Sequence, residues 1–217
     1  MEIVRKSFLI LICFFSTINL SYSEILLKEG KNYLKIQNSL EIKTEKIEVL
    51  EFFWYNCPHC YKFEPYLLKL KEENKKIDFK RIPVNFNKSF INQQKLFFTL
   101  QVMKREDIHK DVFKSIHENR KKLNKYKNIL SFIEEKGINK NQFEEIYNSF
   151  GIQSQIKRSK QLQNLYNITS VPAVVIGKQY LTSPALVSST IDTNSDHILN
   201  NATINIIKKL IMKNSNK

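Results

Sequence analysis

The stretch Val49–Tyr61 reads VLEFFWYNCPHCY, and it decides the fold of this chain. Its first six residues form a short apolar and aromatic run, which is typical of a buried β-strand. Over Lys62–Lys76 the apolar side chains recur at spacings of three and four residues, which predicts a helix. The two cysteines therefore open a helix directly after a strand. Pro58 falls in the first helical turn, where its missing N–H is harmless.

The CPHC motif at residues 57–60 indicates redox chemistry rather than a structural cross-link. A disulfide can stabilise a fold by closing a loop of the unfolded chain, and a loop with two intervening residues removes little entropy. A zinc site needs four ligands, and the chain has no second pair of closely spaced cysteines. His109 and His117 are eight residues apart, which fits no familiar zinc module. We therefore predict that no metal is bound.

Cys57 and Cys60 are expected to differ in acidity. The N-terminus of the predicted helix places unpaired N–H groups and partial positive charge beside Cys57, which favours its thiolate. His59 can add a further donor or a positive charge. We expect an exposed Cys57 with a lowered pKa and a more buried, less acidic Cys60. Cys57 would form mixed disulfides, and Cys60 would close or reopen the intramolecular bond.

The same difference predicts the direction of the reaction. Each unit by which the Cys57 pKa falls favours the reduced pair by about 1.4 kcal/mol, which makes the disulfide more oxidising. A stabilised thiolate is a good leaving group and a poor nucleophile. The chain is therefore expected to give its disulfide away readily.

Three segments together resemble the DsbA family, the periplasmic thiol:disulfide oxidoreductases of Gram-negative bacteria. They are Glu51-Phe52-Phe53, the motif with Tyr61 after it, and the downstream Val171-Pro172-Ala173 followed by Gly177. The histidine inside the motif is the strongest element, because thioredoxins usually carry Gly-Pro between the cysteines. The spacing of the segments extends the resemblance over nearly the whole mature chain.

The resemblance implies an α/β chain with a thioredoxin fold interrupted by an inserted all-helical domain. Residues 24–86 and 167–217 would form the discontinuous thioredoxin-like domain, and residues 87–166 the helical insertion. The hydrophobic periodicity agrees with this division. It predicts a second strand over Phe79–Val84, helices through the insertion, strands at 173–176 and 179–181 around a tight turn, and a closing amphipathic helix over Ile198–Met212.

The resemblance also implies site residues outside the motif. Pro172 would be a cis-proline that faces the cysteines, and the backbone at Val171 would stay free to pair with an extended substrate peptide. Glu51 would be a buried acid that assists proton transfer near the inner cysteine, with Lys80 or Arg81 as its partner. An ordinary strand-starting proline and a solvent-facing Glu51 are the alternatives.

Glu64, seven residues after Cys57, matches a second acidic position of the family. Its place in the predicted helix equally allows a carboxylate on the solvated face. The resemblance therefore implies a supporting role for Glu64, which the helix pattern alone leaves open.

Residues 1–23 read as a signal peptide. Two basic residues precede the apolar run Phe8–Phe15, which is too short to span a membrane, and small residues follow up to Ser23. We predict cleavage after Ser23 and a periplasmic location; an uncleaved N-terminal anchor would export the rest equally. Cys13 leaves with the signal peptide, so the mature chain keeps the two cysteines of the motif.

The composition excludes several classes of function. The 217 residues are 42% hydrophobic and 26% charged, which is typical of one folded domain, or of one domain with an insertion. Four glycines in the whole chain argue against the Gly-rich loops that bind nucleotide phosphates. The net charge of +14 is dispersed along the chain, without the interleaved aromatic residues of single-strand binders, so we predict no nucleic-acid partner.

Together these features predict an oxidoreductase that donates its Cys57–Cys60 disulfide to unfolded exported proteins with free cysteines. It would need no cofactor besides that disulfide, would act as a monomer, and would be reoxidised by a quinone-linked membrane enzyme of the DsbB type. A periplasmic isomerase or reductase is one alternative, although an isomerase of the DsbC type carries an N-terminal dimerisation domain. A non-catalytic chaperone that uses the aromatic groove around the motif is the other.

Overall fold

The computed structural model describes residues 25–37 and 45–215, so the predicted signal peptide lies outside the described residues. A five-stranded mixed sheet has the order β1-β5-β4-β2-β3. Strands β2 and β3 are parallel neighbours, whereas β4 is antiparallel to β2 and β5, and β1 pairs with β5 antiparallel. The strands are β1 (Leu34–Lys35), β2 (Ile47–Phe53), β3 (Ile77–Pro83), β4 (Ala173–Ile176) and β5 (Tyr180–Thr182).

Eight α-helices accompany this sheet within the described residues. Helix α1 links β2 to β3, helices α2 to α6 lie between β3 and β4, and α7 and α8 follow β5. The helices are α1 (Pro58–Glu73), α2 (Ile91–Val102), α3 (His109–His117), α4 (Tyr126–Glu135), α5 (Lys140–Tyr147), α6 (Phe150–Leu165), α7 (Pro184–Val187) and α8 (Asp196–Ser215). This arrangement confirms the predicted thioredoxin fold with an inserted helical domain.

The hydrophobic pattern places the elements for simple physical reasons. All five residues of β2 from Val49 to Phe53 are buried, because helices α1 and α8 pack on one face of the sheet and the residues around Phe90 and Tyr166 on the other. The predicted tight turn between β4 and β5 is present, and Gly177 and Lys178 in it have positive φ angles.

Several predicted boundaries were wrong by a few residues. Strand β3 begins at Ile77 rather than Phe79, α1 ends at Glu73, and α8 is longer at both ends than the predicted helix. The two-residue strand β1 and the short helix α7 were not predicted, because elements this short carry no periodicity. These differences leave the site intact.

The sheet brings the two halves of the site together. Antiparallel pairing of β2 with β4 sets Phe52 opposite Ala173, so the end of β2 lies beside the start of β4. The CPHC motif follows the end of β2, and Val171-Pro172 precedes the start of β4. Residues more than a hundred positions apart in the sequence therefore meet at one end of the sheet.

Candidate active site

The two cysteines lie at the N-terminus of α1, where Cys57 is the N-cap residue. Its Sγ accepts a hydrogen bond from the backbone N–H of Cys60 at 3.3 Å, and the helix begins at Pro58 as predicted. Both cysteines are free thiols, and Cys60 is fully buried. The prediction of an exposed Cys57 was wrong: it is 7% exposed, because it packs beneath the Val171 carbonyl, 3.5 Å from its sulfur.

The local hydrogen bonds make the two thiols unequal, as expected. The pKa of Cys57 is lowered from 9.0 to about 7, first by the hydrogen bond from the Cys60 thiol and then by the backbone N–H groups of Cys60 and His59, against the effect of burial. Burial raises the pKa of Cys60 well above its ordinary value. The imidazole of His59 is exposed, so its contribution to Cys57 comes through the backbone rather than through the predicted side-chain charge.

Alkylation of the reduced protein is expected to report this difference directly. The rate at which iodoacetamide labels Cys57 should rise with pH and reach half its maximum near pH 7, because the thiolate is the reactive form. Cys60 should stay unlabelled in the folded protein over the same pH range, because it is buried and its pKa is raised. Mass spectrometry after timed quenching checks both statements, and equal labelling of the two cysteines would contradict the assignment.

The segment before β4 forms the second wall of the site. The peptide bond between Val171 and Pro172 is cis, and the Val171 carbonyl faces Cys57. The ladder of β4 begins only at Ala173, so the backbone of Val171 lies outside it. Pro172 is buried, whereas Val171 is half-buried. The structure thus brings Val171 and Pro172 to the cysteines.

A buried charged cluster lies behind the cysteines. Glu51 in β2 is fully buried and opposes Arg81 in the neighbouring strand β3, with 3.1 Å between Glu51 Oε2 and Arg81 Nε. Arg81 Nη2 also donates to Glu64 Oε1 at 2.6 Å. Of the two predicted partners of Glu51, Arg81 is therefore the one present. Lys80 points the other way and forms exposed ion pairs with Glu48 and Asp78 instead.

Glu64 does not lie on a solvated helix face. It is 3% exposed, because this face of α1 packs against β3 and α3. The alternative of a solvent-facing Glu64, which the helix pattern left open, was therefore wrong. Periodicity places Glu64 on a face but does not show that the inserted domain covers that face.

Burial dominates the acidity of Glu51. Its pKa is raised from 4.5 to about 8, mainly by burial and then by the negative charge of Glu64, while Arg81 acts in the opposite direction. The negative charge of the Cys57 thiolate also raises the pKa of Glu51. The negative charge of Glu51 in turn raises the pKa of Cys60. Glu51 is thus a carboxyl group that can hold or release a proton near neutral pH, in electrostatic contact with both cysteines.

A further polar layer, which the sequence did not predict, surrounds Tyr55. Tyr55 is 1% exposed, and its hydroxyl lies 2.8 Å from Nδ1 of His109, the first residue of α3. His117 Nε2 lies 2.8 Å from the Tyr55 carbonyl, and its ring stacks on Tyr61, whose hydroxyl bonds to Glu118. No sequence signal links the bonded pairs, because Tyr55 and His109, Tyr55 and His117, and Tyr61 and Glu118 are each more than fifty positions apart.

In residues 25–37 and 45–215, no group of three or more His, Cys, Asp or Glu side chains is arranged to hold a metal ion. None of the helices in the same residues is both long and apolar enough to cross a membrane.

Comparison with known proteins gives concordant matches. A family model described as a DSBA-like thioredoxin domain matches residues 48–198. The chain is 36% identical over 164 residues to the thiol:disulfide interchange protein DsbA of Burkholderia cepacia, covering 74% of this chain and 77% of that protein. It is 37% identical over 154 residues to the protein of the same name from Pseudomonas aeruginosa, covering 70% and 73%. The crystal structure of P. aeruginosa DsbA superposes with a TM-score of 0.75 at 32% identity, covering 85% of this chain and 92% of that one.

Proposed function

This chain belongs to the DsbA-like thioredoxin-domain family of thiol:disulfide oxidoreductases, and from that premise we propose that it donates its Cys57–Cys60 disulfide to newly exported proteins. One observation supports this direction above all: Cys57 has a lowered pKa at the N-terminus of α1, while burial raises the pKa of Cys60. Cys57 is therefore the sulfur that leaves a mixed disulfide easily.

Donation proceeds by two exchanges. A substrate thiolate attacks the Cys57 sulfur, forms a mixed disulfide and displaces Cys60 as a thiolate, which takes up a proton because its pKa is raised. A second substrate thiolate attacks the substrate sulfur of the mixed disulfide and displaces Cys57 as a thiolate. The substrate loses two electrons as its disulfide forms, and the Cys57–Cys60 pair gains them.

The lowered pKa of Cys57 also favours the reduced protein. Ionisation of Cys57 begins to stabilise the reduced form as the pH rises through about 7, and the gain is complete above the ordinary thiol pKa of 9.0. Above that pH the stabilisation of the reduced form amounts to about 2–3 kcal/mol, which makes the reduction potential of the pair more oxidising by roughly 60 mV. Pro58 and His59 support this state by opening the helix whose N–H groups face the sulfur.

The wall opposite the cysteines is suited to hold an extended peptide. The backbone of Val171 lies outside the β4 ladder and beside Cys57, so a substrate strand can pair with it while its cysteine approaches the Cys57 sulfur. Pro172 keeps this backbone next to the motif. Backbone pairing does not depend on the side chains of the substrate, so many different unfolded proteins can bind in this way.

The remaining parts of the proposal follow from the predicted export. The chain would act in the periplasm as a monomer, with the Cys57–Cys60 disulfide as its only redox group. A quinone-linked membrane oxidase of the DsbB type would remove the two electrons gained from each substrate. Glu51 and Glu64 would support proton transfer to and from Cys60.

The redox equilibrium with glutathione tests the proposed direction. Trp54, the single tryptophan of the chain, lies next to the motif and is half-buried, so its fluorescence can follow the reduction of the pair in buffers with defined ratios of reduced and oxidised glutathione. We expect an equilibrium on the oxidising side of glutathione, with the reduced protein more stable than the oxidised one in urea. An equilibrium near that of thioredoxin would instead indicate an exported reductase.

A further inference from the structure

The buried charged cluster behind the cysteines continues into the inserted domain through His109. Its Nε2 lies 3.6 Å from Glu64 Oε1, and its Nδ1 lies 2.8 Å from the Tyr55 hydroxyl. His109 is 7% exposed. A side-chain movement of about 0.5 Å would bring Nε2 within hydrogen-bond distance of Glu64.

Five of the nine buried side-chain polar atoms that lack a well-aligned hydrogen bond among the described residues belong to this cluster. They are both carboxyl oxygens of Glu51, Glu64 Oε2, Arg81 Nε and His109 Nε2, and Glu51 Oε2 and Arg81 Nε face each other at 3.1 Å as an ion pair. Buried polar groups are normally hydrogen-bonded, and an exception calls for an explanation such as a redox or catalytic role. Incompletely bonded atoms on two carboxyl groups and an imidazole, gathered in one buried cluster, are suited to transfer protons.

A small cavity connects this cluster to the surface. Its volume is about 120 Å³, which is enough for a few water molecules. Tyr55, Arg81 and His109 line its inner part, and the exposed side chains of Lys71 and Glu106 line its mouth. A proton from solvent can therefore reach His109 without crossing the apolar core.

Of the cavity-lining residues that contact the buried carboxyl groups, His109 is the one suited to carry a proton. Arg81 also contacts them, but a guanidinium group does not give up its proton in proteins. Burial lowers the pKa of His109, so its ring is neutral near pH 7 and can accept a proton on one nitrogen while it donates from the other.

We propose that His109 passes protons between this cavity and the Glu64–Glu51 pair, so that the inserted domain gives the buried Cys60 its connection to solvent. The inference rests on the proposed exchange at Cys57 and Cys60, in which Cys60 must gain a proton on leaving and lose it before attacking. His109 touches neither cysteine and is a positioning residue, which acts through the two carboxyl groups.

The charged and titratable groups that face His109 come from every neighbouring element. Glu64 of α1 and Glu106 of the preceding turn favour its protonated form, whereas Arg81 of β3 disfavours it. The Tyr55 hydroxyl is neutral, because burial raises its pKa, and it donates to Nδ1. Tyr55 also lines the cavity, so it can pass its proton to Nδ1 while it takes another from water in the cavity. Nε2 then carries the ring proton and faces Glu64. A proton that leaves Nε2 therefore moves toward Cys60, which needs one after disulfide donation has released it as a thiolate.

The step to measure is the attack of Cys60 on a mixed disulfide between Cys57 and glutathione. Cys60 must lose its proton, bond to the Cys57 sulfur and release glutathione as a thiolate. His109→Phe removes both ring nitrogens and keeps the aromatic packing, because the ring lies 5.2–5.9 Å from those of Phe53, Phe97 and Phe113. We expect glutathione release from this variant to be at least tenfold slower near pH 7 and to show a larger solvent isotope effect.

The His109→Ala variant distinguishes proton transfer by His109 from a purely structural role. Added imidazole should restore its glutathione release, whereas pyrazole, which has the same size but is a far weaker base, should not. Alkylation of Cys57 serves as the control, since it needs no proton from Cys60, and it should be unchanged in both variants.

The outcomes separate the inference from the function on which it rests. If the wild type releases glutathione and His109→Phe does so at the same rate, the relay is wrong and the redox function stands. Equal restoration by imidazole and pyrazole would also overturn the relay, because it would indicate a packing effect. If His109→Ala does not fold, the relay is judged from His109→Phe alone: a solvent isotope effect no larger than that of the wild type would overturn it. A wild type that never releases glutathione would overturn the proposed function itself.

Discussion

The Cys57→Ser variant is expected to lose disulfide exchange completely, down to the rate of substrate oxidation without protein. A serine oxygen cannot form a mixed disulfide or accept the two electrons of a substrate dithiol. The remaining Cys60 cannot replace it, because it is fully buried and its pKa is raised. Oxidative refolding of a reduced protein with several cysteines, followed by the return of its activity, measures the loss.

The Cys60→Ser variant is the matched control for this experiment. It keeps Cys57 at the N-terminus of α1, so it should still react with substrate disulfides and accumulate a stable mixed disulfide that gel mobility under non-reducing conditions detects. Activity in Cys57→Ser would contradict the assignment and favour the non-catalytic binding module. A stable mixed disulfide that forms in Cys57→Ser, through Cys60, and not in Cys60→Ser would reverse the two roles.

The Arg81→Met variant is expected to be about 3–5 kcal/mol less stable than the wild type near pH 8, because removal of one partner leaves buried charge uncompensated. Arg81 is the cation that contacts both Glu51 and Glu64, and its side chain is 13% exposed. The difference should shrink as the pH falls below about 8, because protonation of Glu51 removes a negative charge that Arg81 balanced. Urea unfolding measures this difference in stability at each pH. The oxidised proteins are used, because they have no Cys57 or Cys60 thiol that could titrate.

Two controls isolate the effect of the buried charge. Lys80→Met removes the neighbouring cation of β3, whose ion pairs with Glu48 and Asp78 are exposed, and it should change stability by less than about 1 kcal/mol. The double variant with Glu64→Leu and Arg81→Met should regain part of the lost stability, because it removes a carboxylate together with its partner. An Arg81→Met protein as stable as Lys80→Met would show that the cluster is not charged in the folded state.

The sequence predicted the fold because its decisive features are local. A buried strand, a Cys-Pro-His-Cys motif and a helix follow one another within thirty residues, and their hydrophobic patterns differ clearly. Local sequence also predicted the different acidities of the two thiols, since the N-cap position of Cys57 depends only on where α1 begins. Pro172 and Glu51 were found through family resemblance rather than through any pattern of this chain.

The surroundings of the site were predicted less well, because they depend on contacts between elements that are far apart in the sequence. Cys57 is buried rather than exposed, Glu64 is covered rather than solvated, and Arg81 rather than Lys80 faces Glu51. The sequence offers each of these residues two possible environments. The Val171 carbonyl covers Cys57, the register of β2 with β3 sets Arg81 opposite Glu51, and the inserted helix α3 covers Glu64.

The sequence by itself therefore determined the redox pair, its place at a helix N-terminus and the order of strands and helices. Only the tertiary structure decided that Glu51, Glu64, Arg81, Tyr55 and His109 form one buried polar cluster. The physical reason is that acidity at a helix N-terminus comes from backbone groups a few residues away, whereas the acidity of Glu51 comes from burial and from charges on other elements. Periodicity records which face of an element is apolar, but not what covers it.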